Sequence, residues 1–169
     1  ASKILDVQNG PDLSVNFNDT LICSIDTLQL KSFSLNEGAV FSWTPSYNIL
    51  GSSTSQPQVY PKKTTTYNVN VSFKGCVTSD SVTVNVIDNV TLNLPADTII
   101  CKTDSIQIIP ATNALYFSWS PAQGLNSTSS AQPVAAPLSN TKYSLLASVG
   151  KCVTADAINI NVVPYPAAN

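Results

Sequence analysis

The 169-residue chain reads as all-β, two tandem β-sandwich domains, on three observations. Its halves repeat each other. Its apolar residues alternate with polar ones in short runs. Its composition is about one-third Ser, Thr and Asn, with 16 valines, and β-branched side chains suit a pleated, half-buried surface.

The repeat is read directly from the residues. Asp19-Thr20-Leu21-Ile22-Cys23 recurs as Asp97-Thr98-Ile99-Ile100-Cys101, an offset of 78. Phe41-Ser42-Trp43-Thr44-Pro45 recurs as Phe117-Ser118-Trp119-Ser120-Pro121, an offset of 76. Gln56-Pro57, Pro61, Tyr67 and Cys76-Val77-Thr78 match Gln132-Pro133, Pro137, Tyr143 and Cys152-Val153-Thr154 at that same spacing. The boundaries follow as residues 1–88 and 89–169.

In order along the first copy, Leu13, Val15 and Phe17 alternate toward one face, then Leu28 and Leu30, then Phe41 and Trp43. Tyr67, Val69, Val71 and Phe73 form the next run, and Val82, Val84 and Val86 the last. The second copy repeats the scheme with Val90, Leu92 and Leu94; Ile106 and Ile108; Phe117 and Trp119. Tyr143, Leu145, Ala147 and Val149 follow, then Ile158, Ile160 and Val162. Period two puts each set on one face of its strand, and two sheets closing on those faces give an immunoglobulin-like core. Trp43, Trp119, Tyr67 and Tyr143 are therefore expected to be core residues. The tyrosine hydroxyls are expected to bond nearby backbone.

About 80 residues is small for a core, so extra fastening is expected. The four cysteines supply it. The repeat pairs Cys23 with Cys76 and Cys101 with Cys152, stapling two turns at one end of each sandwich, although spacing alone does not prove connectivity. No C-x-x-C spacing suggests a metal instead. Disulfides imply an oxidising compartment.

Composition narrows function. With no histidine, a histidine base, a histidine-ligated metal and a Ser-His-Asp triad are impossible. With no arginine, bidentate clamps on phosphate or carboxylate are absent. A net charge of −2 offers no basic field for nucleic acid or an anionic membrane. No apolar run approaches the ~18 residues of a membrane-spanning helix. The repeated acids Asp19/Asp97, Asp26/Asp104 and Asp80/Asp156 lie far apart in sequence, unlike a calcium loop, and read as turn and strand-edge residues. Neither a catalytic site nor a cofactor is expected.

What remains for recognition is loop surface. The stretches 46–55 and 122–130 read as the longest loops of the first copy and its counterpart, with Tyr47, Asn48 and Asn126 as candidate binding residues. The junction Ile87-Asp88-Asn89 holds neither glycine nor proline, which predicts a stiff connection. Leu5 and Val7 align with Val82 and Val84, and Val163-Pro164-Tyr165-Pro166 resembles another linker, so the chain reads as a slice of a longer array.

Each copy thus runs D-T-[LI]-I-C-x-x-D-[ST]-[LI]-Q-[LI], F-S-W-[ST]-P, Q-P, then C-V-T. This resembles the PKD-like, immunoglobulin-like repeats of very large secreted Bacteroidetes proteins, such as gliding-motility adhesins and other type IX secretion products. The resemblance implies a non-enzymatic repeat segment of a cell-surface adhesin outside the outer membrane. Its role would be a disulfide-stapled stalk that contributes to surface or glycan adhesion. The alternative it implies is a spacer or carbohydrate-binding accessory module of a secreted hydrolase. Expected partners are neighbouring repeats of the same chain and surface polysaccharide or glycan, with no nucleic acid, no membrane insertion and a monomeric state. The resemblance also implies O-glycosylation of Asp-[Ser/Thr]-apolar triplets, here at Thr20, Thr27, Ser81, Thr98 and Ser105. The same triplets are ordinary strand-opening grammar.

Overall fold

A computed structural model describes residues 10–15 and 20–166, and all regular structure among them is β. The chain divides into two compact units, Ala1–Asp88 and Asn89–Asn169. Phe17 and Asp19, and with them Leu5 and Val7, lie outside the described residues.

The first unit holds β1 (Ser14–Val15), β2 (Thr20–Cys23), β3 (Leu28–Gln29), β4 (Ser32–Phe33) and β5 (Val40–Thr44). β6 (Ile49–Leu50), β7 (Gln58–Val59), β8 (Thr65–Phe73) and β9 (Cys76–Ile87) complete it. Four of these form a sheet in the order β2-β9-β8-β5. Within it β8 pairs antiparallel with both β5 and β9, whereas β2 pairs parallel with β9, from Thr20↔Val84 to Cys23↔Ile87. The smaller pieces β3-β7-β6 and β1-β4 make up the rest.

Alternation decides which face is buried. Tyr67, Val69 and Val71 of β8, Val82 and Val84 of β9, Trp43 of β5 and Ile22 of β2 all join one cluster. Leu30 and Val59 complete it from the smaller strands, with Leu13, Val15, Leu28, Phe41 and Val86 packed at its margin. The intervening residues Thr66, Asn68, Asn70 and Ser72 of β8, and Ser79, Ser81, Thr83 and Asn85 of β9, alternate with the buried ones and are polar. Thr66 and Thr83 share a hydroxyl–hydroxyl hydrogen bond of 2.9 Å there, and the Ser79 hydroxyl donates to Asn70 at 2.6 Å. The turn between β8 and β9 is two residues, Lys74 and Gly75, both at positive φ (49° and 87°). That is the twist-matched hairpin turn that keeps two long strands in register.

The second unit repeats the plan with β10 (Leu92–Asn93), β11 (Thr98–Cys101), β12 (Ile106–Gln107) and β13 (Ala111–Thr112). It continues with β14 (Tyr116–Ser120), β15 (Val134–Ala135), β16 (Thr141–Val149) and β17 (Cys152–Val163). Its four-stranded sheet runs β11-β17-β16-β14, again with one parallel pair, β11 on β17. Tyr143, Leu145, Ala147, Val149, Ile158, Ile160, Trp119 and Ile108 are buried. Both units are immunoglobulin-like β-sandwiches, an assignment carried by this strand order and by the single buried face.

Candidate functional site

The cysteines are the chemistry that both copies preserve, and the fold corrects their expected pairing. Cys23 closes β2 with Ile87 as its Cα partner, while Cys76 opens the same 12-residue β9 at its far end. At ~3.3 Å per residue the two ends lie on the order of 35 Å apart. A disulfide needs Cα atoms within about 7 Å. The second unit repeats the geometry, with Cys101 beside Val163 and Cys152 opening the 12-residue β17. Neither Cys23–Cys76 nor Cys101–Cys152 can form. The physical reason is the parallel pairing of β2 with β9, which carries the strand-end cysteine away from the hairpin. Cys23 and Cys152 are disulfide-bonded, and Cys101 carries a free thiol.

Both strand-end cysteines sit in the same local cradle. The Asp26 amide donates to the Cys23 carbonyl (2.9 Å) while the Cys23 amide donates to the Asp26 carboxylate (3.1 Å). Ser24 N–H then donates to Ile87 O at 2.8 Å, continuing the ladder past the cysteine. In the second unit Asp104 N–H donates to Cys101 O (3.0 Å) and Lys102 N–H to Val163 O (2.7 Å). Thr103 takes a positive φ of 80° in that turn. The Tyr165 hydroxyl donates to the Asp104 carboxylate, and that bond, with a smaller contribution from burial, pushes the phenol pKa up.

The aromatic residues lie inside. Trp43 is 2% and Trp119 3% exposed. Each indole N–H donates to a backbone carbonyl at 3.0 Å, Thr54 O and Ser130 O respectively. A buried indole with its donor satisfied has no face left for a sugar. Tyr67 and Tyr143 are fully buried. Their hydroxyls donate to Tyr47 O (2.9 Å) and Gln123 O (2.7 Å). Gly124, at φ 78°, permits the second contact, because a Cβ there would lie 2.8 Å from the Tyr143 oxygen.

Burial first, and then the neighbouring Tyr47 and Tyr60, raise the Tyr67 phenol to about 12; burial raises Tyr143 as well. The unfolded chain releases these protons near pH 10. The stability they contribute is therefore whole below pH 10 and is lost as pH climbs from 10 toward 12. Tyr67→Phe should lose about 1 kcal/mol at neutral pH with its hydrogen bond. It should also flatten the alkaline fall in stability, which one such phenol steepens by up to about 1.4 kcal/mol per pH unit. Urea titrations of both proteins between pH 9 and 12 check this; parallel curves would refute the assignment.

The stretches expected to be binding loops are largely tied down. Residues 46–55 contain β6, which pairs with β7, so this is not an open loop. Its counterpart, 122–130, contains no named strand but bridges Leu125 to Ala135, with Asn126 N–H donating to Val134 O at 3.0 Å. Sequence missed this strand because Ile49-Leu50 is two apolar residues with no alternation to read. Tyr47 is half-exposed, its hydroxyl accepting the Lys62 amide (3.3 Å) and its ring beneath the Lys63 ammonium, 5.8 Å from the centroid. Asn48 turns the chain at φ 48°, and its carbonyl accepts Tyr60 N–H at 3.0 Å. The Asn126 side chain accepts Val134 N–H at 2.8 Å and pins the chain to β15.

The acids hold strands. Asp97 accepts both the backbone and the side-chain amide of Asn159 (2.8 and 2.7 Å), and these bonds lower its pKa. Asp156 accepts Leu94 N–H at 2.9 Å, binding the first strand of its unit to the last. Among the described residues no group of three or more Cys, Asp or Glu is placed to hold a metal ion. Of the triplet hydroxyls, Thr27, Ser81 and Ser105 are exposed, whereas Thr20 and Thr98 are half-buried at the heads of β2 and β11. Among the described residues no helix is long and apolar enough to cross a membrane.

Solved tandem immunoglobulin-domain structures are similar to the chain at low identity. The I-band fragment I67–I69 from titin is 12% identical, with 92% of this chain and 66% of that one covered at a TM-score of 0.43. Murine CEACAM1b is 13% identical, with 90% and 100% covered and a TM-score of 0.42. Sidekick-1 immunoglobulin domains 1–5 are 11% identical at 0.40, and the chain spans only 39% of that structure's length. No family model matches the chain, and no curated protein does. The immunoglobulin-like assignment rests on the strand order and register of the chain itself, and these likenesses add no function to it.

Proposed function

We propose that the chain is a non-enzymatic, load-bearing repeat segment of an extracellular bacterial surface protein, a stalk more than an adhesive tip. The observation that carries this reading is the parallel ladder in each unit, β2 on β9 and β11 on β17. The chain enters β2 at Thr20, beside Val84, and leaves β9 at Ile87, beside Cys23. Tension on the two ends of a unit therefore pulls these strands along their axes in opposite directions. All the hydrogen bonds of the ladder then share the load, instead of parting one after another. Disulfide-bonded cysteines fit an oxidising compartment. The chain's repeated polar groups are engaged in holding strands, which supports a scaffold over a binding module.

A glycan array and a polysaccharide pulldown with the chain test this against the adhesive reading. Both should be silent. Retention of a defined glycan that is lost on Tyr47→Ala would make the chain a binding module instead.

A further inference from the structure

One turn, repeated in the two copies, takes two different forms. After β2 it is Cys23-Ser24-Ile25-Asp26, and after β11 it is Cys101-Lys102-Thr103-Asp104. The same bond closes both, from the aspartate amide to the cysteine carbonyl (2.9 and 3.0 Å). In the first form Ile25 keeps a negative φ, and the Asp26 carboxylate accepts the Cys23 amide at 3.1 Å. In the second form Thr103 sits at φ 80°, the third-position value of a type II turn, where glycine is the ordinary residue. Holding a β-branched residue there is a strain. Among the described residues the Asp104 carboxylate does not take the Cys101 amide; it accepts the Tyr165 hydroxyl instead.

The sequence differs where this reading requires it to. Tyr165 stands between Pro164 and Pro166 just past β17, and prolines on both sides hold such a segment extended. The first copy has Asn89 at the matching place. Lys102 N–H donates to Val163 O, so by period two the Cys101 N–H points away from β17. That amide is in position to bond Asp104 whenever Tyr165 lets the carboxylate go. Bringing Thr103 to a negative φ needs only the peptide between Lys102 and Thr103 to turn over.

We propose that the turn 101–104 is a two-state latch worked by Tyr165. With the hydroxyl engaged, Asp104 holds the segment after β17 against the turn that follows β11, and Thr103 bears the strain. With the hydroxyl released, the turn relaxes to the form seen in the first copy, and Asp104 caps the Cys101 amide. The course of the chain beyond β17 is thus set by one side-chain bond, which can open while the β11–β17 ladder stays intact. The latch stands apart from the load-bearing reading, and the two fail separately.

Hydrogen exchange of the Cys101 amide, followed by NMR in the 169-residue chain at neutral pH, tests this. Tyr165 is exposed and lies past the last strand, so Tyr165→Phe keeps the fold and the ring and removes the hydroxyl alone. The Cys101 amide should then exchange roughly tenfold more slowly, the protection that about one added hydrogen bond gives. Thr103 should move to a negative φ, read from its amide–Hα coupling and sequential NOEs. Adding Asp104→Ala to Tyr165→Phe should abolish the slowing. A Cys101 amide that is unchanged or faster in Tyr165→Phe, or whose slowing survives the loss of the Asp104 carboxylate, overturns the proposal.

Discussion

Trp43→Ala should destabilise its unit by about 3–5 kcal/mol, as should Trp119→Ala in the other. Each tryptophan fills the centre of its sandwich between the two sheets, at 2–3% exposure. Trp43 shares one buried cluster with Leu30, Val69 and Val71, so its removal opens a cavity among them. It also strips the donor from the Thr54 carbonyl. For a domain whose whole stability is on the order of 5–15 kcal/mol, that is a large fraction. Because the chain holds only two tryptophans, each variant leaves a single fluorophore reporting the unit that was not altered. Circular dichroism then follows both units. A denaturation midpoint unchanged within about 0.5 kcal/mol would show that the indole is not part of the core. Trp43→Phe should fall between, keeping most of the apolar volume and losing the N–H bond.

Much of this core was legible because burial in a strand obeys a period of two. Phe41 and Trp43, or Tyr67, Val69 and Val71, announce a buried face whatever their partner strands are. Partner choice was not legible in the same way. Nothing local in Thr20-Leu21-Ile22-Cys23 says whether it joins β9 parallel or antiparallel, and the cysteine pairing turned on that choice. Matching positions in two copies suggested a bridge inside each copy. Equivalence within a repeat carries no distance, and the register of β2 on β9 is what sets Cys23 and Cys76 apart.

The supporting polar contacts were hidden for another reason. Val86 N–H finds the Thr64 hydroxyl at 3.1 Å, while its counterpart Val162 N–H finds the Asn140 amide oxygen at 2.8 Å. Two residue types do one job, so comparing the copies side by side does not reveal it. Asp97 with Asn159 and Asp156 with Leu94 are each 62 residues apart in sequence, beyond the reach of any local pattern.

The most direct measurement is the force needed to unfold the chain when it is pulled from its two ends, with the disulfide reduced so that the ladders alone carry load. Two resolved unfolding events are expected, one per unit. One ladder bond of β2 carries a large share of that resistance. Ser24 N–H donates to Ile87 O, so by period two Ile22 N–H points at β9 as well. Ile22→Pro removes that ladder bond and disturbs a buried side chain, at a cost of about 2–4 kcal/mol. At a given load one event should therefore become roughly 30- to 1,000-fold faster, at tenfold per 1.4 kcal/mol, while the other keeps its force. Extension without resolvable events, or an Ile22→Pro chain whose two forces both match the parent's, would contradict the claim that the parallel ladders bear the load.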